Sequence, residues 1–250
     1  MSPAAAQLID ELHSAKVRTV VLQCDVTDEQ QLSRCLSDAL ETMPPIRGVI
    51  QGAMALKDQI FASMSFESFT NTIRPKVQGS WNLHSATLQQ PLDFFVLLSS
   101  AASFVGNAGQ SNYAAACAYQ VALAAHRRKL GLPAATIDIG KVSGVAFVAE
   151  NEGTASEQNL VKLGMPDIQE DELLAMLEMA MMGGESESDS AVSMSNGHLV
   201  TGVHSTNDAG ELPFCRRDPV FSHMAFVRPY LLSGKKGGPG SAEDGRHQQH

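Results

Sequence analysis

The stretch FFVLLSSAASFVGNAGQSNYAAACAYQVALAAHRR, residues 94–128, decides the fold. Its opening residues, 94–100, form an apolar run that ends in two serines, which predicts a buried strand. Residues 112–130 are rich in alanine, carry a basic last turn and precede Gly131, and these features predict a helix with a glycine cap. The stretch therefore contains one strand followed by one helix.

The rest of the chain repeats this alternation on both sides. Helices are predicted at residues 2–15, 27–41, 65–88 and 170–182, and strands at 17–23, 48–52, 134–139 and 198–203. The first two helices begin with cap signals, Ser2–Pro3 and a Thr27/Gln30 capping box, and Pro75 is expected to kink or break the third. Such alternation predicts an α/β fold with a mostly parallel sheet and helices on both faces.

Sheets of this kind bind ligands at the carboxyl ends of their strands. The predicted strand ends lie at residues 23–25, 51–52, 99–100 and 139–140. At one of them a serine is followed by a tyrosine at the start of a helix. A tyrosine hydroxyl has an ordinary pKa near 10, and it becomes a useful acid for ketone reduction only where a cation lowers that value. A lone tyrosine at a helix start would more often be a packing or surface residue.

Two motifs give the tyrosine a specific context. GQSNYAAA (109–116) follows the strand end LLSSAAS, and Ser100 precedes Tyr113 by 13 residues; RPKVQGSWNLH (74–84) supplies Lys76. Together they resemble the short-chain dehydrogenase/reductase superfamily and, within it, the ketoreductase domain of fungal highly reducing polyketide synthases. The resemblance implies a Rossmann-like sheet in which Tyr113 donates a proton, Ser100 orients the carbonyl and Lys76 favours tyrosinate and relays the proton. Ser99 is the alternative to Ser100.

The same resemblance implies an NADPH site. CDVTD (24–28) is similar to the adenine-side turn, which places Asp25 near the adenine amine and Val26 beside the ring. Asp25 could instead be only a helix cap. GVIQGAMALKDQIF (48–61) is similar to the segment that passes under the nicotinamide ribose, which gives cofactor-binding roles to Gly52 and Ala53. Tyr113 and Lys76 are also expected to contact the cofactor.

Cys117 departs from the family pattern, which usually has Asn four residues after the tyrosine. Positions 113 and 117 share a helix face, and a thiol is a weaker hydrogen-bonding group than a carboxamide. A weakened proton relay at Lys76 is therefore expected. Cys117 could also be a small buried residue or, less plausibly, a nucleophile.

A second departure concerns the front of the sheet. No GxGxxG-like turn precedes Asp25, so the resemblance implies an N-terminally truncated domain without its first strand, first helix and second strand. We expect the partial ketoreductase domain at residues 1–233 and a disordered, linker-like tail at 234–250. The leading functional hypothesis is NADPH-dependent reduction of a β-ketoacyl thioester in secondary metabolism. The alternative is an inactive, truncated remnant or an interaction module.

Composition limits the partners. The formal net charge of −9 argues against nucleic acid or an anionic membrane, and no run of about 18 apolar residues predicts a membrane span. The four cysteines are scattered without a CxxC pair, as in a reducing cytoplasmic compartment, and no metal-ligand spacing occurs. The expected partners are a β-ketoacyl substrate on an acyl carrier protein and either other polyketide synthase domains or a missing N-terminal segment in trans.

Overall fold

The computed structural model describes residues 3–143, 167–183 and 197–201. All of them belong to one compact unit, Met1–Val203. A second unit, His204–His250, lies outside the described residues, as do the predicted tail at 234–250 and the end of the strand predicted at 198–203.

The described elements follow the predicted order except that no strand lies between the first two helices. The helices are α1 Pro3–Ser14, α2 Glu29–Leu40, α3 Phe66–Ala86, α4 Ala102–Val105, α5 Ser111–Lys129 and α6 Glu170–Met181, with a 3₁₀ turn at Phe61–Ser63. The strands are β1 Gly48–Gln51, β2 Phe94–Ser100, β3 Ala135–Ile139, β4 Lys141–Val142, β5 Asp167–Ile168 and β6 His198–Val200.

Four strands form one parallel sheet in the order β1-β2-β3-β6. The central strand β2 aligns Ser99 with Asp138 and Ser100 with Ile139 of β3. The carboxyl ends of β2 and β3 therefore lie side by side. Strands β4 and β5 form a separate, short parallel pair.

Alternating side chains of β2 pack against helices on opposite faces of the sheet. Phe95 and Leu97 belong to a cluster with Leu123 and Ala124 of α5. Val96 faces the other way and packs with Ala180 of α6. The α/β class with a mostly parallel, Rossmann-like sheet is therefore confirmed.

Helix ends follow the chemistry of their caps. The Ser65 hydroxyl accepts a hydrogen bond from the Ser68 N–H at the start of α3. Helix α5 ends before Gly131, whose φ of +73° is the left-handed conformation that glycine adopts without strain. At α2 the prediction was wrong by one residue, because Asp28 rather than Thr27 is the cap and accepts from the Gln31 N–H. Of the kink or break predicted at Pro75, the break does not occur, because α3 continues through that residue.

The strand predicted at residues 17–23 is also wrong. This segment carries no strand assignment, and its apolar side chains are largely exposed; they are Val17, Val20, Val21 and Leu22. A strand requires a neighbour to satisfy its backbone N–H and C=O groups. Among the described residues no segment pairs with 17–23, so its β-rich composition does not produce a strand.

Candidate active site

Three side chains predicted to act together come from three different elements. Lys76 lies on α3, Ser100 ends β2 and Tyr113 lies in the first turn of α5. The Lys76 ammonium nitrogen lies 5.4 Å from the centroid of the Tyr113 ring, and the Ser100 side chain is close enough to the tyrosine hydroxyl to lower its pKa. The fold thus brings these three predicted residues to one place.

Tyr113 is held in a low-polarity environment. Only 8% of the residue is exposed, and its hydroxyl donates to the Met54 sulfur at 3.8 Å. Burial raises the pKa of this tyrosine well above its ordinary value, and Cys117 raises it further, whereas the hydrogen bond with Ser100 lowers it. Tyr113 is consequently protonated throughout the neutral range. The lowered pKa that the sequence analysis expected of this tyrosine is therefore not found, because the effect of burial dominates.

Lys76 is almost fully buried, with 2% exposed. Its ammonium donates to the Leu98 carbonyl at 2.6 Å and to Gln120 Oε1 at 3.2 Å. Burial lowers the pKa of Lys76, and nearby Cys117 and Asp138 act in the opposite direction. Both hydrogen-bond acceptors are neutral, so they orient the ammonium without forming an ion pair with it.

The two adjacent serines at the end of β2 have different partners. The Ser99 hydroxyl is buried and donates to the Cys117 carbonyl at 3.3 Å. Ser100, half-buried, accepts from the Ala102 N–H at 3.3 Å and reaches Tyr113. Of the two, Ser100 is the one whose hydroxyl lies beside the tyrosine hydroxyl.

Cys117 is fully buried, one turn beyond Tyr113 on α5. Burial raises the pKa of this thiol, while nearby Lys76, Ser99 and Tyr113 act in the opposite direction, so it is a neutral thiol at neutral pH. A buried, neutral thiol has the surroundings of a structural cysteine rather than those of an activated nucleophile.

The GQSNY motif fixes the loop opposite the tyrosine. The Gln110 amide donates to Asp58 Oδ2 at 2.9 Å, and the Asn112 amide donates to the Lys57 carbonyl at 3.3 Å. The Gly109 carbonyl accepts from the Gln59 N–H at 2.9 Å. Residues 57–59 are thereby attached to the start of α5, which explains why this motif has amide side chains on either side of its serine.

On the predicted nicotinamide side, Gln51 shapes the turn that contains Gly52 and Ala53. Its Oε1 accepts from the Ala53 N–H at 2.8 Å, and its Nε2 donates to the Pro75 carbonyl at 2.8 Å. A Cβ added at Gly52 would meet only the Leu98 side chain, at 3.5 Å, which is ordinary contact. The surrounding protein therefore does not itself require glycine at position 52.

On the predicted adenine side, Asp25 and Val26 lie in one turn. Asp25 Oδ1 accepts from the Thr27 N–H at 2.9 Å, which lowers the pKa of this carboxyl, and its own N–H donates to Gln31 Oε1. The Val26 carbonyl accepts from the Asn82 amide at 3.0 Å. The Asp25 side chain thus stabilises the turn itself while remaining exposed.

The sequence analysis missed two buried polar residues beside the site. Gln120 binds Lys76, and its position seven residues after Tyr113 on the same helix face was the available signal. Asp138, fully buried, accepts from Ser103 at 2.7 Å and from His198 at 2.8 Å through Oδ2. An aspartate inside the apolar run of β3 was the signal there.

Two further features concern the residues that the structure describes. Within them no group of three or more His, Cys, Asp and Glu side chains is arranged to hold a metal ion. None of their helices combines the length and the apolar character that a bilayer crossing demands.

Comparison with known sequences gives a consistent result. The KR domain family profile matches residues 1–144. The chain is 43% identical to highly reducing polyketide synthase 40 of Fusarium mangiferae, over 90% of this chain and 9% of the relative. It is 50% identical to the lovastatin diketide synthase lovF of Aspergillus terreus, over 65% of this chain and 7% of the relative. The chain thus spans less than a tenth of these multidomain proteins.

Solved structures agree with the sequence relatives. The first ketoreductase of the tylosin polyketide synthase matches with a TM-score of 0.64 at 34% identity, over 73% of this chain and 39% of that chain. The ketoreductase from the first module of phoslactomycin biosynthesis in a Streptomyces species matches with a TM-score of 0.71 at 26% identity, over 89% of this chain and 48% of that chain.

Proposed function

The chain belongs to the KR domain family, the ketoreductases of polyketide synthases, and we propose that it reduces a β-ketoacyl thioester to the β-hydroxyacyl form with NADPH. The substrate is proposed to arrive on an acyl carrier protein, alongside the other domains of a fungal polyketide synthase. The relatives that carry this domain are described as highly reducing polyketide and lovastatin diketide synthases. We propose further that the domain extends to residue 233 and is followed by a linker at 234–250.

The single observation that carries the proposal is the arrangement of Lys76, Ser100 and Tyr113 at the carboxyl end of β2. A protonated phenol lies beside a serine hydroxyl, and an ammonium nitrogen lies 5.4 Å from the phenol ring. Ketone reduction creates an alkoxide, which requires a proton donor and hydrogen bonds aimed at the developing charge. These three groups supply that chemistry.

The described residues also fit the two ends of a nicotinamide cofactor. On the nicotinamide side, the position normally filled by a Cβ at Gly52 is nearly open, which allows close approach to the backbone. On the adenine side, the Val26 turn is fixed by Asn82 and leaves the Asp25 carboxylate exposed. NADPH, when bound, would supply the hydride.

In the proposed reaction, Ser100 donates a hydrogen bond to the substrate carbonyl and fixes its orientation. Tyr113 transfers its hydroxyl proton to the oxygen as negative charge develops there. Lys76 stabilises the tyrosinate that remains and relays to it a proton that is taken up from solvent. Burial keeps the proton on Tyr113 while no proton acceptor is present, because a buried tyrosinate is energetically unfavourable.

The proposal is tested by following NADPH oxidation with a β-ketoacyl thioester of N-acetylcysteamine as substrate. We expect turnover by the wild-type chain and a loss of about 10²- to 10⁴-fold in kcat for Tyr113→Phe, because the proton donor is removed while the ring remains. Tyr119→Phe is the matched control, since Tyr119 lies on the same helix and packs against the core away from Lys76. Equal rates for wild type and Tyr113→Phe would refute the proposed role.

A further inference from the structure

A continuous set of buried side chains connects Lys76 with the turn proposed to lie under the nicotinamide. Its hydrogen bonds run from Lys76 Nζ to Gln120 Oε1 (3.2 Å), from Gln120 Nε2 to Ser80 Oγ (3.1 Å), from Gln51 Nε2 to Ser80 Oγ (3.4 Å), and from the Ala53 N–H to Gln51 Oε1 (2.8 Å). The side-chain members Lys76, Gln120, Ser80 and Gln51 are each at most 2% exposed. We refer to these four residues as the Lys76 network.

Lys76 needs such a network because its side chain is long and flexible. A lysine side chain has four rotatable carbon bonds, and a buried ammonium without acceptors is strongly unfavourable. The Leu98 carbonyl, at 2.6 Å, fixes one N–H direction. Gln120 fixes a second N–H direction. Together these two hydrogen bonds define where the ammonium lies relative to Tyr113.

Gln120 is placed to do this by helix geometry. Seven residues after Tyr113, it is two turns further along α5 and on the same face. Lysine can only donate, so the amide oxygen of Gln120 must face it, and the amide NH₂ then faces Ser80. The orientation of the carboxamide is thus determined by its two partners.

Cys117 cannot provide the same contact. The Lys76 ammonium donates to the Leu98 carbonyl and to Gln120, and a thiol is a weak acceptor for an ammonium. Gln120 provides the carboxamide oxygen that position 117 lacks, from one turn further along the helix.

On this basis, and resting on the proposed function, we propose that Gln120 is a positioning residue that holds the Lys76 ammonium beside Tyr113. Through Ser80 and Gln51 it links the position of Lys76 to the backbone at Ala53. The carboxamide is neutral, so it orients the ammonium and leaves its charge available to the tyrosinate that forms during reduction.

The test compares Gln120→Leu, Gln120→Glu and the control Leu123→Ala. Leu123 lies three residues further on α5 and packs against Phe95 in the core, so its truncation weakens the fold without touching the network. The readout independent of activity is the titration of the Lys76 ¹³Cε resonance in the full chain, assigned with Lys76→Met. The other ionisable groups near Lys76 are Tyr113, Cys117 and Asp138, and all three are unchanged in these variants.

We expect the Lys76 titration midpoint to move to lower pH in Gln120→Leu, because an acceptor for the ammonium is lost. It should move to higher pH in Gln120→Glu, because a carboxylate favours the charged lysine. In Leu123→Ala it should stay unchanged. In the NADPH assay, Gln120→Leu should lower kcat about tenfold or more with little change in the KM of the thioester. Gln120→Glu should also stay below the wild-type rate, because its carboxylate pairs with the ammonium charge that the neutral carboxamide leaves to the tyrosinate.

An unchanged Lys76 midpoint in folded Gln120→Leu, or the same midpoint shift in Leu123→Ala, would overturn the inference. Should Gln120→Leu not fold, Gln120→Glu provides the test: a Lys76 midpoint that does not move to higher pH in this variant would overturn the inference. Absence of thioester reduction by the wild-type chain would refute the proposed function, but the titration would still report whether Gln120 positions Lys76.

Discussion

At the residue scale, burial acts on Lys76 and Tyr113 in opposite directions. It lowers the pKa of the lysine and raises that of the tyrosine, because it disfavours the charged form of each. The pair therefore favours the state in which the phenol keeps its proton. In the proposed reaction, proton donation from Tyr113 becomes favourable only when a substrate oxygen begins to carry negative charge beside it.

Cys117 lies at the position where the sequence analysis expected an asparagine. In Cys117→Asn, a carboxamide would replace a fully buried thiol that lies near Tyr113 and Ser99. We expect kcat to rise roughly 2- to 10-fold, the equivalent of about one additional hydrogen bond in the proton relay. The measurement is NADPH oxidation with the thioester substrate at saturating concentrations.

Cys117→Ala is the matched control for that experiment. It removes the thiol without adding a hydrogen-bonding group, so it should leave kcat within a few-fold of wild type, whereas a catalytic nucleophile would not tolerate it. A folded Cys117→Asn variant with no gain in kcat would show that the relay does not need a carboxamide at this position.

At the scale of elements, the end of α5 is set by one residue. Gly131 has a φ of +73°, and the N–H groups of Gly131 and Leu132 donate to the Arg128 and Arg127 carbonyls at 3.0 Å. These bonds close the last turn of the helix that carries Tyr113 and Gln120. No atom lies within 4 Å of a Cβ built on Gly131, so a substitution there meets no steric obstacle.

We therefore expect Gly131→Ala to lower the free energy of unfolding by about 1–2 kcal/mol, entirely through the left-handed backbone conformation. Gly131→Asn should lose less, because asparagine tolerates that conformation better. Urea denaturation followed by circular dichroism measures both variants. Equal losses for Ala and Asn would contradict a backbone origin.

How much the sequence predicts depends on how local its signals are. The strands β2 and β3 are apolar runs bounded by breakers, and their predicted limits were correct to within one residue. Residues 17–23 carry an equally good local signal, but a strand also needs a partner that local composition does not specify. The motif residues Lys76, Ser100 and Tyr113 could be identified because they lie in short, distinctive stretches of sequence. The contact between Gln120 and Lys76 could not be predicted, because it depends on how α3 and α5 pack.

At the scale of the whole molecule, the candidate site joins elements that are distant along the chain. Gln120 and Lys76 are 44 residues apart, and Asp138 of β3 accepts from His198 of β6, 60 residues away. The site thus depends on β1, β2, β3, α3 and α5 being assembled together. A ligand that binds there binds only the folded state, so it must stabilise the assembled sheet and its helices.

This coupling predicts a thermal shift on NADPH binding. A ligand at 100 times its dissociation constant contributes about 2.7 kcal/mol, which corresponds to an increase in Tm of roughly 5–10 °C for a unit of this size. Lys76→Met should abolish the shift, because the proposed cofactor contact is removed, whereas Leu123→Ala should lower the starting Tm and retain the increment. Scanning fluorimetry with and without NADPH measures all three proteins, and NADH serves as the comparison ligand. An unchanged Tm of the wild-type chain at millimolar NADPH would exclude cofactor binding by this chain and with it the proposed reaction.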